Sequence, residues 1–365
     1  MGTRALLIAL DYPPVGGGIS RLLESWCVDT AGVEWLVVTT SPGATRSGLR
    51  RTTPIRFTGD LIAGVRWLRQ ADRRIVVAGH PYVTAAAVAA AVPARASSAA
   101  LAYGGEMTAR SWKPRLALRA LRSADAVIAI SQHCAELVEQ LGVRRDRIRI
   151  VTPRLTPPWL AETVSHRGPA DGLRLVAITR LNEGYKNLEL LIRLCAVLKP
   201  LGVIDELTII GDGPRLEALR DKALQLGVGD TARLPGFVPD SALADVLARA
   251  HVGLFPSRDS VAEQGVEGFG LAIHELAAAG LPVLVGRAGG AVDAAIEPWA
   301  RLLDPDDLWS WVSAIEDLYS REDMRRELGQ AALSWARATT PHASADEFSA
   351  ALLDSTRPTN RSALR

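Results

Sequence analysis

The chain has 365 residues, 48% hydrophobic and 22% charged, a composition that folds rather than stays disordered and a length that holds two domains with separate cores. A net charge of +2 gives no argument for nucleic acid, and three cysteines far apart, with no Cys-x-x-Cys, argue against a disulfide framework or a zinc site and fit a reducing cytosol. The start has no signal-peptide h-region of adequate length, and the longest apolar run, Ala85–Val92, stops at Pro93, far too short to cross a bilayer.

Short apolar runs alternate with helical stretches from the start of the chain. Strands are predicted at Ala5–Leu10, Trp35–Thr39, Ile75–Ala78, Ser98–Ala102, Ala126–Ile130 and Ile148–Val151. Helices are predicted at Gly18–Thr30, Gly64–Gln70, Val83–Ala91, Pro114–Arg122 and Gln132–Leu141. Strands without polar alternation, separated by helices, imply a parallel sheet covered on both faces. Prolines 153, 157, 158 and 169 then interrupt the pattern, which places an interdomain linker within Pro153–Gly172.

The alternation restarts with strands at Arg174–Thr179, Leu207–Ile210, Ala232–Leu234, Val252–Phe255, Pro282–Val285 and Ala300–Leu303. Helices at Leu188–Leu198, Pro214–Leu226 and Ser241–Ala250 lie among them. The expected architecture is α/β: two doubly wound domains, residues 1–160 and 170–338, facing across a cleft at the carboxyl ends of their sheets. The last stretch, Asp323–Leu353, reads as amphipathic helix and Thr356–Arg365 as a frayed polar end.

The most informative stretch runs from Glu263 to Gly290. Gly268-Phe269-Gly270 reads as a turn, Leu271–Ala279 as a helix capped by Gly280, and Leu281–Val285 as a buried strand. A glycine turn opening a helix presents free N–H groups and a positive dipole end to an anion such as a diphosphate. Glu267 and Glu275 flank it, and carboxylates there would repel phosphate, so they suit sugar hydroxyls instead. The plainer alternative is a solvated loop acid and a surface helix position.

Other residues lie at predicted strand ends. Arg180 and Lys186, in Thr179–Asn187, suit a departing diphosphate, since Arg binds two oxygens at once and Lys adds a point charge. The Gly16-Gly17-Gly18 turn after the first strand allows close backbone approach to a ligand; it is not Gly-x-Gly-x-x-Gly, and no acid follows the second strand, which disfavours a nicotinamide cofactor. His80, Tyr103 and Glu106 end two further strands and are candidates for an acceptor site, against the alternative of packing and solvated loop roles. Arg115, Arg119 and Arg122 at helical spacing are read as a solvated face, with a membrane-surface patch as the alternative. Asp304-Pro305-Asp306 is read as a turn and N-cap, not a metal site.

Taken together, Arg180, Lys186, the Glu267/Glu275 block with Gly-Phe-Gly, the glycine turn at 16–18 and Gly289-Gly290 resemble the family 4 glycosyltransferases, retaining, nucleotide-sugar-dependent enzymes of the GT-B fold. The resemblance covers nearly the whole chain. It implies that Arg180 and Lys186 hold the donor diphosphate and that Glu267 contacts hydroxyls of the transferred sugar. Backbone of Gly268, Phe269, Gly270 and Leu271 would hold phosphate and sugar, and Glu275 the ribose. Gly17 and Gly18 would close on the donor, and Gly236-Phe237-Val238 would read the nucleobase. Catalysis is then expected from Arg180, Lys186 and Glu267 without metal or cofactor, the nucleotide sugar being a co-substrate. The acceptor would be a small molecule or a lipid-linked hydroxyl, and the C-terminal helix, about 340–356, would pack back on the first domain. The expected location is cytoplasmic, with peripheral contact at the inner membrane face left open. The family's histidine after the fourth apolar strand is absent; Tyr103-Gly104-Gly105-Glu106 stands there. A sugar-nucleotide epimerase or phosphorylase of the same fold, or a non-catalytic donor-binding domain, are the alternatives.

Overall fold

The computed structural model describes residues 2–13, 17–39, 49–51, 57–108, 112–154, 171–259, 265–339 and 341–355. The chain divides into two compact units, Met1–Leu155 with Pro341–Arg365, and Thr156–Thr340.

The first unit holds β1 (Thr3–Ala9), α1 (Gly18–Asp29), β2 (Val33–Thr39), β3 (Leu49–Arg51), α2 (Phe57–Leu68), β4 (Arg73–Ala78), α3 (Thr84–Ala94), β5 (Ser97–Ala102), α4 (Trp112–Leu118), β6 (Ala126–Ala129), α5 (Gln132–Gln140) and β7 (Ile148–Ile150). Its strands form one parallel sheet in the order β3-β2-β1-β4-β5-β6-β7. The apolar runs are apolar because both faces are covered: Ala5–Ala9, Ile75–Ala78 and Ala99–Ala102 are all buried. The strand β3 is too short and too polar to be read from periodicity.

The second unit holds β8 (Leu173–Ile178), α6 (Leu188–Leu198), β9 (Ile204–Ile210), α7 (Leu216–Gln225), β10 (Ala232–Gly236), α8 (Asp240–Arg249), β11 (Val252–Phe255), α9 (Leu271–Ala278), β12 (Val283–Gly286), α10 (Ala291–Ala294), β13 (Ala300–Leu303), α11 (Leu308–Ser320) and α12 (Glu322–Ala338). Its parallel sheet runs β10-β9-β8-β11-β12-β13. Its core packs β8 and β9 residues such as Leu175 and Ile209 against Leu191, Leu194 and Leu198 of α6 and Trp311 and Ile315 of α11. Gly253 lets α9 lie close on β11: a Cβ there would stand 3.0 Å from Leu276.

Both sheets therefore have the doubly wound order, and the α/β class expected from the sequence is the one observed. Several element boundaries differ from the sequence reading. Helix α3 keeps Pro93 in its last turn and ends at Ala94, with Arg95 as its C-cap at φ 51°. The helix expected over Pro114–Arg122 begins at Trp112 and tightens into a 3-10 turn at Arg119–Ser123. The helix start expected at Asp304–Asp306 is capped by Asp307 instead, whose Oδ1 accepts from Trp309 N at 3.0 Å; Asp304 Oδ1 accepts from Asp306 N and closes the turn before it.

The C-terminal stretch is two helices rather than one. Pro341 has no N–H to continue α12 and disfavours helical backbone at the residue before it, so α12 ends at Ala338 and α13 (Pro341–Ser355) begins anew. Trp335 stays with the second unit. It packs on Trp299 (4.9 Å between ring centroids) and His274 (4.4 Å). Helix α13 packs on α1 through Phe348 stacked on Trp26 at 4.4 Å, while Ser344 Oγ accepts from Trp26 Nε1 at 2.8 Å and donates to Thr152 O at 2.9 Å. Most of the expected linker, Gly16, Glu263 and the polar end Thr356–Arg365 lie outside the described residues.

Candidate active site

In the second unit the chain leaves β8 toward β9 on one side and leaves β11 toward β12 on the other. Their carboxyl ends diverge, and a crevice opens there in folds of this kind. The loops that follow these two strands carry Arg180, Lys186 and Glu267.

Lys186 and Glu267, 81 residues apart in sequence, meet with Nζ 2.6 Å from Oε2. Both side chains are nearly buried, 9% and 10% exposed. Ser257 Oγ, also buried, donates to the same carboxylate oxygen at 3.3 Å. Burial alone pulls the Lys186 ammonium down; the Glu267 charge and hydrogen bond more than offset this and hold it above the ordinary lysine value, with Arg180 pulling slightly the other way. The ammonium also lies over the rings of Tyr185 (5.0 Å) and Phe255 (5.6 Å). Arg180 itself is exposed, close enough for its charge to act on both Lys186 and Tyr185.

Four loops fix this arrangement. Gly211, after β9, has φ 140°, and a Cβ there would collide with the Thr179 carbonyl. Arg215 NH1 donates to Glu183 O at 3.3 Å, and Asn187, in left-handed backbone at φ 53°, donates from Nδ2 to Pro305 O at 2.7 Å. From β12's end, Gly290 N donates to Glu267 O at 2.7 Å, and a Cβ on Gly289 would stand 2.5 Å from that oxygen. A Cβ on Gly265 would enter the Tyr185 ring. The carboxyl edge thus leaves no room for side chains at the residues that brace Lys186 and Glu267.

The other predicted residues of this unit occupy the same edge. Phe269 is buried and lies edge-on to His274 at 5.0 Å; Gly270 takes φ 91° to start α9, with Leu271 first in the helix. The turn at 268–270 is therefore anchored by its aromatic residue. Glu275 is buried in α9 at 7% exposure, which removes the alternative of a surface helix position. Gly236 O accepts from Gly211 N at 2.9 Å, so Val238, half-buried, follows a strand end beside the loop after β9.

In the first unit Gly17 (φ 136°) is the N-cap of α1 and Gly18 its first residue. His80, Tyr103 and Glu106 come together at the ends of β4 and β5, His80 6.4 Å from the Tyr103 ring. Tyr103 Oη donates to Gly79 O at 3.0 Å, and Glu106 Oε1 accepts from Tyr103 N at 2.7 Å and Gly104 N at 3.3 Å. Glu106 is therefore not the solvated loop acid of the plainer reading: burial pushes its carboxyl up, partly offset by those backbone bonds. Sequence reasoning missed Ser257, Tyr185 and Asp11. Tyr185 stands within Thr179–Asn187 and Ser257 shortly before Glu263, but no pattern distinguishes them from ordinary loop residues. Among the described residues no group of three or more His, Cys, Asp or Glu is arranged to hold a metal ion.

The chain is similar to known proteins. Residues 165–335 match the family model described as glycosyl transferases group 1. A GDP-mannose-dependent alpha-(1-6)-phosphatidylinositol monomannoside mannosyltransferase of Mycolicibacterium smegmatis is 28% identical over 361 residues, covering 91% of this chain and 93% of that protein. The putative colanic acid biosynthesis glycosyltransferase WcaL of Escherichia coli is 30% identical over 45% of this chain and 39% of its own length. Among solved structures, Anabaena HepE in complex with UDP and glucose superposes with a TM-score of 0.75 at 18% identity, covering 97% of this chain and 100% of that one. Two doubly wound units of this order, with this likeness to solved structures, give the protein the GT-B fold. It is a glycosyltransferase, similar over residues 165–335 to glycosyl transferases group 1.

Proposed function

We propose that the protein transfers a sugar from a nucleoside-diphosphate sugar to a hydroxyl acceptor with retention at the anomeric carbon and without a metal ion. One observation carries the reading: a buried ammonium–carboxylate pair, 2.6 Å apart, held at the diverging ends of β8 and β11 beside a glycine turn that opens a helix. A stabilising pair has no need of that location. A donor with two phosphates and a hydroxylated sugar does.

Arg180 and Lys186 take the diphosphate, with the N–H groups of Phe269, Gly270 and Leu271 at the start of α9. Glu267, already oriented by Lys186 and Ser257, takes hydroxyls of the transferred sugar; its negative charge also favours positive charge developing at the anomeric carbon. Glu275 takes the ribose and Val238 the nucleobase through its backbone. In the step itself the bond from the anomeric carbon to the diphosphate breaks and that carbon bonds the acceptor oxygen on the same face. The acceptor's proton passes to the departing phosphate oxygen, so no protein nucleophile is required. The protein's contribution is orientation and stabilisation of the leaving charge.

The acceptor falls to the first unit, through the group around His80, Tyr103 and Glu106. The mycobacterial relative's name supports a mannosyl donor and a lipid-linked acceptor as first candidates. We place the enzyme in the cytoplasm, where the three scattered cysteines fit a reducing compartment, and leave contact at the inner membrane face open. No helix among the described residues is long and apolar enough to cross a membrane.

The test is calorimetry with GDP-mannose and UDP-glucose on the wild type, Arg180→Ala and Glu275→Ala. Each substitution is expected to weaken donor binding about tenfold or more, the loss of one charge-assisted hydrogen bond. Unchanged affinity in both rejects the site. Turnover of the donor alone to an epimeric nucleotide sugar favours the epimerase alternative.

A further inference from the structure

The first unit has its own point of divergence. The chain leaves β1 toward β2 on one side and β4 toward β5 on the other. Asp11 lies two residues beyond β1, and His80 two residues beyond β4. The two strand ends are held tightly together. Gly79 N donates to Ile8 O at 2.7 Å, and a Cβ on Gly79 would stand 3.2 Å from Ala9 Cβ. The spacing thus brings the two side chains to one edge, and the Asp11 charge acts on the His80 ring.

Three of the polar groups here are already committed. Tyr103 Oη is spent on Gly79 O, Glu106 Oε1 on the N–H groups of Tyr103 and Gly104, and Tyr82 Oη donates to Glu106 O at 3.4 Å. They build the loops and leave His80 and Asp11. His80 caps the turn Pro81–Val83 by accepting at Nδ1 from Tyr82 N, 3.2 Å away. An Nδ1 that accepts an N–H carries no proton, so the neutral ring's single proton sits on Nε2. Among the described residues Nε2 has no hydrogen-bond partner, and Asp11, exposed, makes no hydrogen bond or ion pair.

We propose that Asp11 and His80 form a subsite for a neutral hydroxyl of the acceptor, His80 donating from Nε2 to the hydroxyl oxygen and Asp11 accepting from the hydroxyl hydrogen. The proposal rests on the glycosyl-transfer reading for its ligand class. A hydroxyl is both donor and acceptor, and the pair offers one of each. Two carboxylates at this edge, Asp11 and Glu106, disfavour a phosphate. Burial holds the His80 ring below the ordinary histidine value although Asp11 pulls upward, which keeps the ring neutral and the Tyr82 bond intact. The remaining titratable neighbours, Tyr82 and Tyr103, are held in their neutral forms, burial being the largest cause for each. His80 is accordingly a binding residue and not the base that removes the acceptor's proton, since its only unprotonated nitrogen is occupied by backbone.

The test is nitrogen-15 NMR of the full chain labelled at histidine. His80→Asn, whose Oδ1 can still accept from Tyr82 N, assigns the signal. At pH 7 the expected form is neutral with the proton on Nε2. Titration with myo-inositol and with methyl α-mannoside is expected to move that signal saturably, inorganic phosphate is not, and Asp11→Asn is expected to weaken the polyol response about tenfold, the loss of one hydrogen bond to a charged group. A proton on Nδ1, an imidazolium at pH 7, a response to phosphate, no response to either polyol, or an unchanged response in Asp11→Asn each overturns the proposal. Calorimetry with GDP and UDP separates the two readings. Absent nucleotide binding with an intact polyol response sinks the donor assignment alone, and the reverse sinks this one alone.

Discussion

Glu267→Leu leaves the Lys186 ammonium buried without its partner. At an effective dielectric constant of about 20, opposite unit charges 2.6 Å apart attract by roughly 6 kcal/mol, and desolvation of two side chains about nine-tenths buried offsets most of that gain. Removing one partner forfeits the attraction and keeps the remaining desolvation cost, so the single substitution is expected to cost about 3–5 kcal/mol. For a unit of this size that is a fall of roughly 6–20 °C in Tm. Lys186→Met is expected to cost a similar amount. The double variant Lys186→Met/Glu267→Leu removes both charges, and its stability should return to within about 1 kcal/mol of wild type. Differential scanning calorimetry and urea unfolding measure the cycle, and nucleotide-sugar binding is measured beside it. Stability should recover in the double variant while donor affinity does not, which separates the pair's structural and binding parts. Single substitutions costing under about 1 kcal/mol would show an exposed, weakly coupled pair and refute the geometry. Because the ammonium's folded value is raised, the pair's contribution is whole below the unfolded lysine value of about 10.4 and is lost only as pH rises through the folded value. No part of it should change near neutrality.

Three further predictions use other parts of the chain. Gly211→Ala forces a side chain against the Thr179 carbonyl from positive-φ backbone; a loss of about 1–3 kcal/mol in urea unfolding is expected, with weaker donor binding because the Arg180–Lys186 loop rests there. Phe348→Ala removes the ring stacked on Trp26 and should cost about 3–5 kcal/mol, read by Trp fluorescence during unfolding; wild-type stability would mean that α13 does not dock on α1. His80 is held below its ordinary value, so its contribution is present above the unfolded value of about 6.5 and lost as pH falls through the folded one. His80→Gln should flatten the stability–pH curve on that acid side, and an unaltered curve would contradict the burial of the ring.

Local pattern revealed most of the elements. The runs at Ala5–Leu10, Ile75–Ala78 and Val252–Phe255 could be read because parallel strands buried on two faces carry no polar alternation, and Gly280 because a helix end leaves a local mark. The break between α12 and α13 was missed although Pro341 signals it, since amphipathic spacing continues across it and outweighed a single proline. Asp304 and Asp307 are both plausible caps by type, and only the hydrogen bond to Trp309 N distinguishes them.

Residue type and position along the chain alone determined that this is a two-unit α/β protein, and which loops follow which strands. Those are properties of short windows, where period and turn chemistry act within a few residues. The tertiary structure decided that Lys186 meets Glu267, that Ser257 shares the carboxylate, that Glu275 is buried, and that Tyr103 and Glu106 are spent on backbone while His80 keeps Nε2 open. The Lys186–Glu267 and Tyr103–Gly79 contacts depend on which strand ends lie side by side, and strand order is fixed by long-range packing, which no local window contains; the bonds of Glu106 and His80 are local, but residue type alone does not say that these side chains turn back on their own backbone.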